Sequence, residues 1–176
     1  MSVDDLVARA EIHDVLMRYC RAVDRGDVDL LRSVYHDGAT DEHGSFHGLG
    51  ADFAPRIVEI MDAVPLVGQH HITNISTRVT GETAYVESYF IAFQPYRAAS
   101  GEALLAVIGG RYLDHFAYRD GRWAISARKV IVDWSREDVS GADWPGAAAF
   151  FAGGRRDADP GASFFGDRSP DVVNQI

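Results

Sequence analysis

The hydrophobic period of this chain changes once, near residue 65. Before that point apolar side chains recur at three- and four-residue steps, the period of a helix. After it, four runs rich in β-branched and aromatic residues follow one another, separated only by short turn signals. Helices first and strands afterwards predict an α+β domain rather than alternating βα units.

Leu6, Ile12, Val15, Leu16, Tyr19 and Val23 mark one face of a helix over residues 3–23. Ser2 with Asp5 has the form of a capping box using the shorter acid. Gly26 is a helix stop, and Asp27 caps a short second helix reaching residue 35. Residues 36–50, rich in Gly, Asp and His, predict a turn, a short strand over 40–46 and another turn. Phe53, Ile57, Ile60 and Met61 space a third helix over 51–63, with Pro55 in its first turns. The runs 70–80, 83–94, 104–118 and 122–133 predict four strands, the last two joined by the hairpin signal Asp120-Gly121. Unbroken succession predicts a meander and hence an antiparallel sheet. Curved against the N-terminal helices, such a sheet makes a cone whose mouth is a natural ligand site. Residues 1–133 account for that domain. From 134 to 176 Gly, Ala, Asp and Pro dominate without a period. This predicts a tail packing on the cone or a neighbouring subunit, with its last residues mobile.

Charge narrows the function classes. There are 17 Lys and Arg against 26 Asp and Glu, a net charge of −9, and no basic run longer than Arg155-Arg156. Nucleic acid and anionic membrane surfaces both call for a basic footprint, so neither partner is expected. No apolar stretch approaches the ~20 residues of a bilayer span. Asp4 and Asp5 stand where a secretory signal carries positive charge. The single cysteine, Cys20, permits no intrachain disulfide. A cytoplasmic location is the expectation. The motifs GxGxxG, GxSxG, HExxH and paired CxxC are all missing, as is a phosphate-binding loop.

Four sets of polar residues fall where the pattern predicts apolar or pocket-facing positions. Tyr19 lies on the first helix's apolar stripe, and Asp24 at its C-terminal end, where the helix dipole disfavours a negative charge. Read alone, they are equally a core-edge tyrosine and a solvated aspartate. His70 and His71 open a strand and point to opposite faces; His70, Ile72 and Asn74 share one of them. Either histidine alone can be a satisfied structural residue. Arg128 alternates with Val130 and Val132, so it needs a partner or a cavity; an edge-strand ion pair would also explain it. Asp41, Glu42, His43 and His47, with His36 upstream, invite a metal reading. On one strand His43 and His47 would share a face about 13 Å apart at ~3.3 Å per residue, too far for one ion. No metal site is expected.

Together these features resemble the SnoaL-like branch of the nuclear transport factor 2 (NTF2)-like superfamily, over residues 3–133. The helix ending Tyr19-x-x-x-x-Asp24, the strand opening His70-x-x-x-Asn74 and the final strand with Trp123 and Arg128 carry the resemblance. The branch includes scytalone dehydratase, the lindane dehydrochlorinase and the bile-acid 7α-dehydratase, and its fold is the NTF2-like cone. The resemblance implies His70 as general base, with His71 as the fallback, and Asp24 as its partner. It implies Tyr19 and Arg128 at a substrate oxygen; Asn74, which fixes His70 as the matching histidine, and His43 in the turn-strand segment are the substrate-binding candidates. The implied activity is a cofactor-independent lyase or isomerase, of dehydratase type, on a hydrophobic polycyclic, aromatic or steroid-like molecule. The same fold also serves as a ligand-binding module, as a small subunit of ring-hydroxylating dioxygenases, and as polyketide cyclases that lean on an aspartate. The chemistry needs no metal or organic cofactor: histidine titrates near the operating pH, a carboxylate fixes its tautomer, and a hydroxyl or guanidinium stabilises a developing oxyanion. The acidic balance suits a neutral substrate. Alternation over 85–93 leaves both strand faces apolar, so a homodimer or homotrimer through the sheet is expected.

Overall fold

The computed structural model describes residues 2–64, 66–139, 146–162 and 164. Among these, α1 (Val3–Arg25), α2 (Val28–Ser33) and α3 (Gly50–Asp62) pack on one face of a sheet. Its strands are β1 (Tyr35–His43), β2 (Phe46–Leu49), β3 (Gln69–Thr80), β4 (Thr83–Arg97), β5 (Ala103–Arg119) and β6 (Arg122–Val139), in the order β2-β1-β6-β5-β4-β3. The α+β architecture and the helix and strand spans follow the hydrophobic pattern closely.

Local chemistry sets the boundaries. Ser2 Oγ accepts from the Asp5 amide at 3.1 Å and Asp5 Oδ2 from the Ser2 amide at 2.9 Å, a complete capping box at the start of α1. Gly26 ends that helix at φ 68°, a left-handed conformation that only glycine adopts without strain. Pro55 lacks the N–H that would bond the Ala51 carbonyl, and Arg32 Nε donates to that carbonyl instead, at 3.4 Å. Asp120 and Gly121 both take positive φ, 54° and 76°, turning β5 into β6. Leu6 and Ile60, on the predicted stripes, are nevertheless 50% and 43% exposed.

The sheet differs from a pure meander in one pairing. β3 to β6 pair antiparallel in succession, but β1 runs parallel to β6, with Asp41 beside Arg128. The meander occupies one edge of β6. Its other edge receives the strand that α1 and α2 deliver, and the Ile125 amide bonds the Val34 carbonyl at 2.9 Å where that strand begins. The region 36–50 also holds a hairpin rather than one short strand. Gly44 turns at φ 63°, pairing His43 with Phe46 and Glu42 with His47. His43 and His47 therefore face opposite sides, not one side 13 Å apart as a single strand would require.

β6 runs past Asp133 to Val139. The tail then returns to the helices. Arg155 reaches Asp62 at 2.9 Å and the Leu66 carbonyl at 2.7 Å. Arg156 reaches Asp62 at 2.8 Å and the Gly26 carbonyl at 3.4 Å. Arg21 bonds the Gly161 carbonyl at 3.2 Å, and Arg25 the Gly154 carbonyl at 3.4 Å. Residues 154–161 thus form a strap over the C-terminal ends of α1 and α3. The expected mobile terminus falls on residues 165–176, outside the described residues.

Candidate functional site

The inward face of the sheet alternates with the strand period. On β4 Val86, Ser88, Phe90 and Ala92 face the helices; on β5 Tyr112, Asp114 and Phe116 do so; on β6 Arg128 does. α1 crosses this face with Tyr19, Cys20, Val23 and Asp24 buried. The helix period thereby delivers Tyr19 and Asp24 to the same interior.

His70, at the start of β3, meets Asp24 there. His70 Nδ1 lies 2.7 Å from Asp24 Oδ1, and the His70 amide donates to Asp24 Oδ2 at 3.0 Å. Both side chains are nearly buried, at 7% and 12% exposure. One carboxylate therefore holds both the ring and the backbone of the histidine. With Nδ1–H donating to Asp24, Nε2 is the nitrogen that can accept a proton. His71 points outward, its ring edge-on to Phe93.

Tyr19 and Arg128 come together beside that pair. The Arg128 guanidinium lies between two rings, 4.0 Å from the Tyr19 centroid and 4.1 Å from that of Tyr112. Its Nε and Nη2 each bond a carboxylate oxygen of Asp114 at 2.7 Å. Burial works against the charge of Arg128, but Asp114 overrides it and holds the guanidinium protonated. Burial pushes the Asp114 carboxyl up while Arg128 pulls it back; with both forks at 2.7 Å we read the pair as ionised. Burial also raises the Tyr19 phenol well above its ordinary range, keeping it a neutral donor.

A further polar group adjoins Arg128. Asp41 is 0% exposed, and its Oδ2 accepts from the Tyr35 hydroxyl at 2.5 Å. His43 Nδ1 is 3.5 Å from the other carboxylate oxygen, and its ring stacks on Phe53 at 4.5 Å. His36 bonds the Ala117 carbonyl at 2.9 Å, a structural role.

Four of the residues singled out from sequence thus share the interior: Tyr19, Asp24, His70 and Arg128. His43 lines it further along. Asn74 does not join them. A bulge between Ile72 and Ile75 shifts the phase of β3, leaving Thr73 and Asn74 both exposed. Asp114 went unnoticed as a site residue, and Asp41 drew notice only through the metal reading. Asp114 carried a usable signal, since it alternates with Tyr112 and Phe116 as Arg128 alternates with valines. A hollow of about 730 Å³ lies on the outer face of the sheet, beside Glu42, Arg78, Tyr85, Leu113, His115 and Lys129.

A family model described as a SnoaL-like domain matches residues 4–129. An uncharacterised protein of Mycobacterium tuberculosis strain H37Rv is 29% identical over 132 residues, covering 73% of this chain and 87% of that protein. Among solved structures, a putative scytalone dehydratase from Novosphingobium aromaticivorans superposes with a TM-score of 0.68 at 20% identity, covering 82% of this chain and 97% of that one. A hexachlorocyclohexane dehydrochlorinase from Novosphingobium barchaimii superposes with a TM-score of 0.68 at 20% identity, covering 81% and 98%. These likenesses establish the NTF2-like fold.

Proposed function

The chain belongs to the SnoaL-like family, and from that premise we propose that it is a cofactor-independent lyase or isomerase. Its substrate is a neutral, hydrophobic polycyclic, aromatic or steroid-like molecule bearing an oxygen function. The observation that carries this reading is the contact of 2.7 Å between His70 Nδ1 and Asp24 Oδ1, with Nε2 left as the free base. His70 Nε2 takes a proton from a substrate carbon. The C–H electron pair becomes a C=C bond as a hydroxyl leaves the neighbouring carbon, or passes into an enol for isomerisation. Asp24 stabilises the imidazolium that forms. The Tyr19 hydroxyl and the Arg128 charge stabilise oxygen where negative charge develops, in a dry interior that strengthens both. A binding module has no need of a histidine held at ring and backbone by one carboxylate.

The test is elimination from a panel of β-hydroxy ketones by the protein and by His70→Ala and Asp24→Asn. Both variants should lose turnover. Undiminished turnover in both refutes the assignment, and tight binding without turnover by the parent protein supports the binding-module reading.

We also propose that the outer face of the sheet joins copies of the chain in a homodimer or homotrimer. Tyr85, Tyr89 and Trp134 stand 57%, 41% and 51% exposed there, a patch costly to leave in water. Sedimentation as a monomer throughout the micromolar range would overturn this.

A further inference from the structure

We propose that Asp41, with His43 and Arg128, forms a subsite that takes a neutral hydroxyl group of the ligand. The inference rests on reading the cone interior as a substrate site, but not on which residue is the base.

Among the described residues, three buried polar atoms there have no hydrogen-bond partner: Asp41 Oδ1, His43 Nδ1 and Arg128 Nη1. They belong together. Asp41 and Arg128 are register partners across β1 and β6, both facing inward, and His43 Nδ1 lies 3.5 Å from Asp41 Oδ1. Every other strong hydrogen-bonding atom of the acid and the guanidinium is engaged. Asp41 Oδ2 accepts from Tyr35, and Arg128 Nε and Nη2 donate to Asp114. Buried polar atoms are nearly always paired, because an unpaired one forfeits its hydration for nothing. Three in one place describe the complement of what they bind.

That complement is a hydroxyl. It accepts from Arg128 Nη1 and donates to Asp41 Oδ1, with His43 Nδ1 serving either role. A carboxylate would meet the Asp41 charge, and an ammonium the Arg128 charge. A ketone or ether oxygen satisfies Arg128 but leaves Asp41 Oδ1 unpaired. His43, 27% exposed at its side chain where Asp41 is wholly buried, marks the side from which the ligand arrives. The ligand class is therefore a hydrophobic molecule with a free hydroxyl.

The test compares 2-naphthol with 2-methoxynaphthalene, which keeps the oxygen but lacks the donor hydrogen, by fluorescence titration near neutral pH. The parent protein should bind 2-naphthol about tenfold or more tightly, the worth of a hydrogen bond to a charged group. In Asp41→Asn the buried Tyr35 O–H stays paired when the amide oxygen faces it and is orphaned when the amide N–H₂ does, so the N–H₂ replaces Oδ1. The preference should then fall within about twofold, since both ligands can accept from it. His70→Ala should keep the preference, separating this outcome from the choice of base. If Asp41→Asn does not fold, His43→Phe is read in its place; it keeps the stack on Phe53 without the ring nitrogens and should weaken the preference severalfold. Equal affinities in the parent protein, binding of neither ligand, or a preference untouched by these variants would overturn the proposal and leave the three atoms as hydration sites.

Discussion

Replacing Asp24 by asparagine changes one atom and should silence the base. The His70 backbone N–H can only donate, and it lies 3.0 Å from Asp24 Oδ2. The asparagine must therefore turn its carbonyl oxygen to that amide. Its N–H₂ then occupies the place of Oδ1, 2.7 Å from His70 Nδ1. Two N–H groups cannot face each other, so Nδ1 becomes the acceptor and the ring proton moves to Nε2, the nitrogen proposed to accept from substrate. General-base catalysis contributes about 10²–10⁴ in rate, and losing the carboxylate's support of the imidazolium enlarges the deficit. A fall of about 10³–10⁴ is expected, or roughly 4–5.5 kcal/mol of barrier. Folding should suffer much less, by about 1–2 kcal/mol as a charge-assisted hydrogen bond becomes a neutral one. Elimination kinetics give the rate, and nitrogen-15 NMR of the imidazole gives the tautomer without any substrate. An Nδ1–H tautomer in Asp24→Asn, or turnover within threefold of the parent protein, would refute the reasoning.

Three further outcomes follow from other parts of the molecule. Asp114→Ala leaves the Arg128 charge buried without its partner and should cost about 3–5 kcal/mol, whereas Asp114→Leu with Arg128→Met should recover most of it; a single variant within 1 kcal/mol of the parent in urea melts would contradict the ionised pair. Burial pushes the Cys20 thiol up to about 12, so it should resist disulfide reagents at mildly alkaline pH until the chain unfolds; rapid labelling of folded protein would be inconsistent with this. Burial pushes the Asp62 carboxyl up, but Arg156 and Arg155 outweigh it and hold the group below the ordinary aspartate range. A depressed carboxyl contributes stability that is full above that range and is lost as pH falls through the lowered value. Hydrogen exchange over 154–161 should rise there and in Asp62→Ala at neutral pH, and unchanged protection in both would argue against the tie.

Much of this was legible in the chain because it depends on local periods. The capping box at Ser2, the stop at Gly26 and the turn at Asp120-Gly121 are decided by neighbours three or four residues away. Tyr19 and Asp24 reach the interior because the helix period carries both there. His70 and Arg128 reach it because strands alternate. Alternation holds only along an unbroken strand, however. The bulge beyond Ile72 has no local signature, and it turned Asn74 outward. Which strand lies beside which is likewise a matter of distant sequence. The parallel seating of β1 on β6, and with it the meeting of Asp41 and Arg128, could not be read from either strand. Asp114 was hidden for the opposite reason: its partner was recognised as needing a carboxylate, but the strand supplying it was not.

The strap has a consequence for the order of events in synthesis. The dyad joins residues 46 apart, and the Arg128–Asp114 pair residues 14 apart. The strap's ties to Asp62, Gly26 and Arg21 span 93 to 140 residues. On the ribosome, where chains emerge from the N-terminus, every side chain of the dyad and of the buried ion pair is in place before residue 154 appears. The strap also lies beyond residue 129, where the family match ends. It is a late fastening, added to an interior whose dyad and ion pair have already been synthesised, and a part of the molecule outside the stretch that the family model matches.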